Sequence, residues 1–194
     1  MQNTKPVDAL EILIKKAQQG DTLAFEGIVT CYQSYAYALA FRFLYDEDDA
    51  DDIVQESFIR IWEHVRDFDP RTKFTTWMYK IVVNLCLDKI KVNKRRMNVF
   101  TRSYSTSLLE SSVDTFDLEH EYSNKEMAAL IKSLANGLSD KQRMIFLLRD
   151  FQDLTIEEVA DITGMSESAI KTNLFYARKL IASKFSKIDR RDIK

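Results

Sequence analysis

The sequence predicts an all-α protein made of two small helical domains joined by a linker. Three observations carry that prediction. Four glycines and two prolines in 194 residues leave few helix breakers. Apolar residues recur at spacings of three and four along most of the chain. Residues 97–123 differ, with six serines, scattered acids and no sustained period, as expected of a linker.

Taken in order, Val7 to Gln19 reads as a first helix with Leu10, Leu13, Ile14 and Ala17 on one side and Gly20 as its stop. Asp21 can cap a second helix running to about Tyr45, with a stripe of Phe25, Ile28, Val29, Tyr32, Ala36, Leu39 and Phe43. The acids Asp46 to Asp49 suit the start of a third helix, where negative charge meets the positive end of the dipole. Ala50, Ile53, Val54, Phe58, Ile61, Trp62 and Val65 form its stripe. Its outer face holds Asp52, Gln55, Glu56, Arg60 and Glu63, an acidic pattern that commonly just faces water. The run DEDDADD is a poor calcium loop, since neither a turn glycine nor a distal bidentate carboxylate is placed correctly.

Phe68 to Lys73 is a loop, because Asp69 precedes Pro70 and is pushed out of the helical region. A fourth helix follows from Phe74 to about Lys94. Phe74, Trp77, Met78, Ile81, Val82 and Leu85 supply its apolar side; Thr75, Tyr79, Lys80, Asn84, Asp88 and Lys91 are expected to look outward. Bases interleaved with aromatic and amide side chains suit single-stranded nucleic acid, where rings stack and lysines track the backbone. Trp77 fits core packing as well as base contact. After the linker, Lys125 to Ala135 and Asp140 to Phe151 read as helices, the second capped by Ser139.

The segment Thr155 to Phe185 is the most specific. Thr155 and Glu158 make a capping box ahead of Ile156, Val159, Ala160 and Ile162. Gly164 can leave the helix in the left-handed region, and Ser166 caps the next one. That helix buries Ile170, Leu174, Ala177 and Ile181. Two helices joined by so short a turn form a helix-turn-helix. Ser168, Lys171, Thr172, Phe175 and Lys179 then face away from the buried stripe, a surface suited to a DNA major groove. Similar corners also occur in purely structural bundles.

A net charge of −2 conceals a segregation. Asp46 to Glu63 carries eight acids against one arginine, whereas Arg66 to Arg102 carries ten bases against three acids. Ser166 to Lys194 carries eight bases against three acids. Affinity for phosphates follows such local charge rather than the chain total. Cys31 and Cys86 lie among apolar helical residues and read as reduced core cysteines. No apolar run approaches the ~20 residues that span a bilayer, and the N-terminus lacks signal-peptide order, so a cytoplasmic protein is expected. With two histidines, no glycine-rich phosphate loop and no Cys/His cluster at ligand spacing, neither catalytic residues, a metal site nor a cofactor is expected.

Three segments, DADDIVQESFIRIWEHV, FTTWMYKIVVNLCLDKIKVNKRR and LSDKQRMIFLLRDFQDLTIEEVADITGMSESAIKTNLFYARKLI, together resemble the extracytoplasmic-function (group IV) sigma factors of the sigma-70 family. The resemblance implies a sigma2 domain over residues 7–96, a linker over 97–123 and a sigma4 domain over 124–187. It implies a non-enzymatic factor that takes core RNA polymerase to −10 and −35 promoter elements. Its partners would be the polymerase β′ clamp and β flap, promoter DNA and an anti-sigma protein, often membrane-anchored, with no small-molecule substrate. Asp52, Gln55 and Glu56 would lie on the polymerase-docking face. Lys73, Trp77, Tyr79, Lys80, Asn84 and Lys91 would meet the −10 element, with a flipped-out base held near Phe68 to Lys73. Arg149, Ser168, Lys171, Thr172 and Phe175 would read the −35 element, with Arg178 and Lys179 on phosphates. Many family members have arginine in place of Asn173 and of Tyr176, and a basic residue at Val83, so the promoter sequence does not carry over. The competing reading is a stand-alone helix-turn-helix regulator with an N-terminal sensing or dimerising domain; the exposed aromatic and basic helix at 74–94 has no use in it.

Overall fold

The structure, a computed structural model, describes residues 6–103 and 137–189. Among these are seven α-helices and no strand: α1 (Pro6–Gln18), α2 (Thr22–Leu44), α3 (Glu47–His64), α4 (Phe74–Ser103), α5 (Asp140–Phe146), α6 (Ile156–Thr163) and α7 (Glu167–Asp189). A 3₁₀ turn, Val65–Asp67, follows α3, and a π turn, Leu147–Phe151, extends α5. The helix expected at 125–135 lies outside the described residues. So does most of the expected linker, but α4 runs on through its first residues to Ser103.

Local chemistry sets the ends. Asp21 accepts from the Ala24 amide at 3.0 Å, and Asp46 from the Asp49 amide at 2.8 Å. Ser139 and Gln142 form a reciprocal capping box on α5, as Thr155 and Glu158 do on α6. Gly164 ends α6 at φ +69, where a Cβ would be strained.

α1 to α4 pack as an N-terminal bundle around Ile28, Leu39, Phe43, Ile61, Met78 and Val82, all fully buried. α5 to α7 pack around Ile145, Leu148, Val159 and Ile170. The two halves touch, and their buried side chains merge into one core, with α6 lying against α4. Two expectations fail at this level. Cys31 is exposed, on the outer side of α2, and only Cys86 is a core cysteine; both are free thiols. Tyr79 does not look outward: it is 5% exposed, because the C-terminal half covers a second side of α4 beyond its apolar stripe.

Candidate nucleic-acid and partner interfaces

The recognition surface of α7 grows from its stripe. Ile170, Leu174 and Ala177 are buried, which turns the other side of the helix to solvent. Ser168, Lys171, Thr172, Phe175, Arg178 and Lys179 are all exposed, Phe175 to 62%. Lys171 pairs with Glu167 one turn back at 3.0 Å, and the Thr172 hydroxyl donates to the Ser168 carbonyl at 2.9 Å. Both contacts are local and solvent-facing, so both groups can exchange them for DNA at small cost. Tyr176, noted in the sequence only as a departure from the family's arginine, belongs to the same ridge. It is 54% exposed and stands edge-on to Phe175, ring centroids 5.5 Å apart. The signal was present: it lies four residues after Thr172 and three before Lys179.

Two further expected −35 residues, Arg178 and Arg149, are engaged outside their own helical segment. Arg178 makes a two-pronged bond with Asp150, Nε to Oδ2 at 2.9 Å and Nη2 to Oδ1 at 2.5 Å. The hydrogen bond to Asp150 raises the guanidinium above its ordinary pKa. Arg149 sits in the π turn with its Nη1 donating to the Leu154 carbonyl, and its Nε is buried without a partner. It braces the turn that leads into α6 rather than standing on the ridge of α7.

On the N-terminal bundle the acidic face of α3 stands out from the fold. Asp52 and Gln55 are exposed, and Glu56 is half-exposed and holds Arg60 at 2.8 Å. Lys89 of α4 reaches Asp49 at 2.6 Å and Asp52 at 3.8 Å, tying α3 to α4 at the edge of this face. Beside Gln55 runs an apolar groove of about 590 Å³ between α2 and α3, lined by Phe25, Val29, Val54, Ile59 and Trp62. The sequence pattern put Phe25, Val29, Val54 and Trp62 on apolar stripes; they pack against the edge of the core and at the same time wall this groove, a double position that periodicity alone does not show.

Lys80, Asn84 and Lys91 of α4 are exposed, Lys91 pairing with Asp88 at 2.9 Å. Trp77 is half-buried, its ring 4.9 Å from that of Phe68 and 5.8 Å from that of Phe74. A cleft of about 380 Å³ opens beside this cluster, lined by Leu10, Ile14, Tyr32, Phe68, Pro70, Arg71, Lys73 and Phe74. Arg71 is held by Asp69 at 2.6 Å at its mouth. Lys73 and Tyr79 instead meet the other half of the chain. Lys73 Nζ lies 2.7 Å from Glu158 Oε1, and the Tyr79 hydroxyl donates to Gln152 Oε1 at 2.7 Å. Burial pushes the Tyr79 phenol up to about 12, so it stays a neutral donor. No helix among the described residues is long and apolar enough to cross a membrane, and none of their His, Cys, Asp or Glu side chains form a metal-binding group.

Comparison with known proteins places both halves. Residues 28–96 match the model of sigma-70 region 2, and residues 128–181 that of sigma-70 region 4. The chain is 30% identical over 172 residues to the ECF RNA polymerase sigma factor SigW of Bacillus subtilis, covering 87% of this chain and 92% of SigW. It is 27% identical over 180 residues to the ECF RNA polymerase sigma-E factor of Haemophilus influenzae, covering 90% and 94%. In fold it is similar to CnrH, solved in complex with the cytosolic domain of CnrY, with a TM-score of 0.69 at 23% identity over 93% of this chain and 99% of that one. A further likeness in fold is the sigma factor RpoE of Bartonella quintana, solved with the anti-sigma factor NepR, with a TM-score of 0.65 at 20% identity over 84% and 96%. The chain, with both sigma-70 regions in order and a relative of 30% identity along nearly its whole length, belongs to the extracytoplasmic-function sigma factors of the sigma-70 family.

Proposed function

We infer that this sigma factor binds core RNA polymerase and directs promoter-specific initiation, with its N-terminal half on polymerase and the −10 element and its C-terminal half on the −35 element. The observation that carries the reading is the ridge of α7: a hydroxyl, a lysine and an exposed ring within one helical turn, on a helix fixed by its buried stripe. Lysine donates to guanine O6 and N7, while a ring or a threonine methyl meets the thymine methyl.

Roles follow from position. Asp52, Gln55 and Glu56, with the apolar groove beside them, form the polymerase-docking face. Lys80, Asn84 and Lys91 follow the −10 strand, Trp77 stacks on it, and the cleft beside Phe68 to Lys73 accepts an unstacked base. Lys171, Thr172 and Phe175 read −35 bases, Ser168 supports them, and Arg178 and Lys179 hold phosphates. Arg149 acts on this readout through the turn it braces. The sigma2 region is assigned to residues 7–96, the linker to 97–123 and sigma4 to 124–187. Sigma factors initiate transcription without catalysis of their own, and this chain is assigned none. Its partners place it in the cytoplasm, with an anti-sigma protein, often membrane-anchored in the family, as its regulator.

The test adds the purified protein to core RNA polymerase and a promoter library. Specific transcripts sharing −35 and −10 sequences are expected. Binding to duplex DNA with no effect on polymerase would favour a stand-alone helix-turn-helix regulator instead.

A further inference from the structure

We propose that Tyr176 joins Phe175 and the Thr172 methyl in an apolar patch that reads pyrimidine C5 methyl groups in the major groove, so that the protein separates thymine from uracil and 5-methylcytosine from cytosine. The inference rests on the reading of α7 as the −35 helix, and adds to it a base-reading residue and the chemical group it recognises.

The patch is built by the winding of α7. At about 100° per residue, Thr172 stands opposite the buried stripe of Ile170, Leu174 and Ala177. The two rings flank it, Phe175 about 60° to one side and Tyr176 about 40° to the other. Both rings are more than half exposed. They hold each other edge to face, with centroids 5.5 Å apart and planes at 73°, which limits the freedom of each on a rigid helix.

The polar groups around the rings are drawn back onto the helix. Lys171 Nζ lies 3.0 Å from Glu167, the Thr172 hydroxyl donates to the Ser168 carbonyl at 2.9 Å, and the Asn173 amide donates to the Ala169 carbonyl at 2.8 Å. Thr172 can therefore offer its methyl without giving up a hydrogen bond. The middle of the face is apolar, while exposed Lys179, one turn on, supplies positive charge. That basic flank favours a phosphate backbone over an apolar protein surface as the occupant. On the base edges of the major groove the apolar group is the thymine C5 methyl. Cytosine methylated at C5 presents the same group beside its N4 amine. Successive base pairs rise about 3.4 Å, so rings 5.5 Å apart reach two neighbouring pairs rather than one.

The experiment uses the full chain bound to core RNA polymerase and promoter duplexes recovered from the library, in competition binding. Each −35 thymine is replaced singly by uracil, which removes the methyl and leaves every hydrogen-bonding group in place. At the pairs that the rings meet, the wild type is expected to lose about fourfold in affinity per methyl. At the same places 5-methylcytosine is expected to bind about fourfold more tightly than cytosine. Tyr176→Phe should keep these differences. Tyr176→Ala should abolish them at one pair and bind the uracil duplex as the wild type does. Uracil tolerated at every −35 position overturns the proposal, as does a sensitivity that Tyr176→Ala leaves unchanged. Equal weakening of Tyr176→Ala on all duplexes also overturns it, since that is the mark of a phosphate contact. Wild-type binding unaffected by scrambling the −35 element overturns the −35 reading itself.

Discussion

Asp150→Asn is the perturbation whose effect the structure defines best. Arg178 is held by the two oxygens of Asp150, with 55% of its side chain and 22% of its partner's exposed. A half-exposed pair of this kind is worth about 0–1 kcal/mol, and the two-pronged geometry places it near the upper value. To grip a phosphate, Arg178 must release or share that carboxylate. Replacing the carboxylate with an amide lowers the cost of release by up to about 1 kcal/mol, a gain of about fivefold in affinity. A phosphate contact carries no sequence information, so the gain is expected on every duplex alike. Folding stability should fall by a similar amount, because the pair joins the π turn to α7. Anisotropy titrations of the full chain on duplexes differing at single base pairs of the −35 element would measure both the rise and its uniformity; thermal unfolding would measure the cost. Loss of affinity on all duplexes would mean that Asp150 positions Arg178 for DNA rather than competing with it. A change confined to one base pair would mean that Arg178 reads a base.

Other outcomes follow from the same surfaces. Lys171→Ala should cost about 1–3 kcal/mol at one base pair and relax choice there, whereas Lys179→Ala should weaken all sequences alike and reduce the salt slope by about one unit; gel shifts at two salt concentrations separate the two. Glu56→Lys should weaken pull-down of core polymerase while leaving the fold intact, since the one pair it loses among the described residues is the exposed i,i+4 pair with Arg60, about 0.3–0.5 kcal/mol; undiminished capture at moderate salt would remove α3 from the docking face. Lys73, with the Thr155 cap, holds the Glu158 carboxyl below its ordinary value of 4.5. Its contribution to stability is therefore complete above pH 4.5 and lost as pH falls through the lower folded value. Thermal unfolding from pH 6 down to about 3 should show that loss in the wild type and a flatter profile in Glu158→Gln, with identical profiles counting against the pair.

What could be read from the sequence was what local chemistry decides. The caps at Asp21, Asp46, Ser139 and Thr155 depend on residues three apart, so their sequence signatures translate directly into bonds. The exposure of Ser168, Lys171, Thr172, Phe175 and Lys179 follows in the same way from the period of one helix. Tyr79 was misplaced because the group that buries it, Gln152, lies more than seventy residues further on, and a helical wheel records only a helix's own stripe. Cys31 was misplaced because apolar neighbours in sequence point to the other side of α2. Arg149 was placed by family resemblance and not by a helical period, and its bond to the Leu154 carbonyl depends on the π turn that continues α5, a winding no 3.6-residue pattern displays.

The π turn also sets a constraint of a different kind. Three successive side chains leave its end for three different helices: Asp150 to Arg178 of α7, Phe151 to Arg42 of α2, and Gln152 to Tyr79 of α4. Each of these ties tolerates some change of residue, but all three depend on the same count of backbone units. Deleting one residue between Leu147 and Phe151 would tighten the turn to ordinary α winding and turn every later side chain by about 100°, detaching all three at once. Selection should therefore act on the number of residues between Ser139 and Thr155 more strictly than on their identities. Among sigma factors that keep this joint, that interval should stay constant in length where its residues vary.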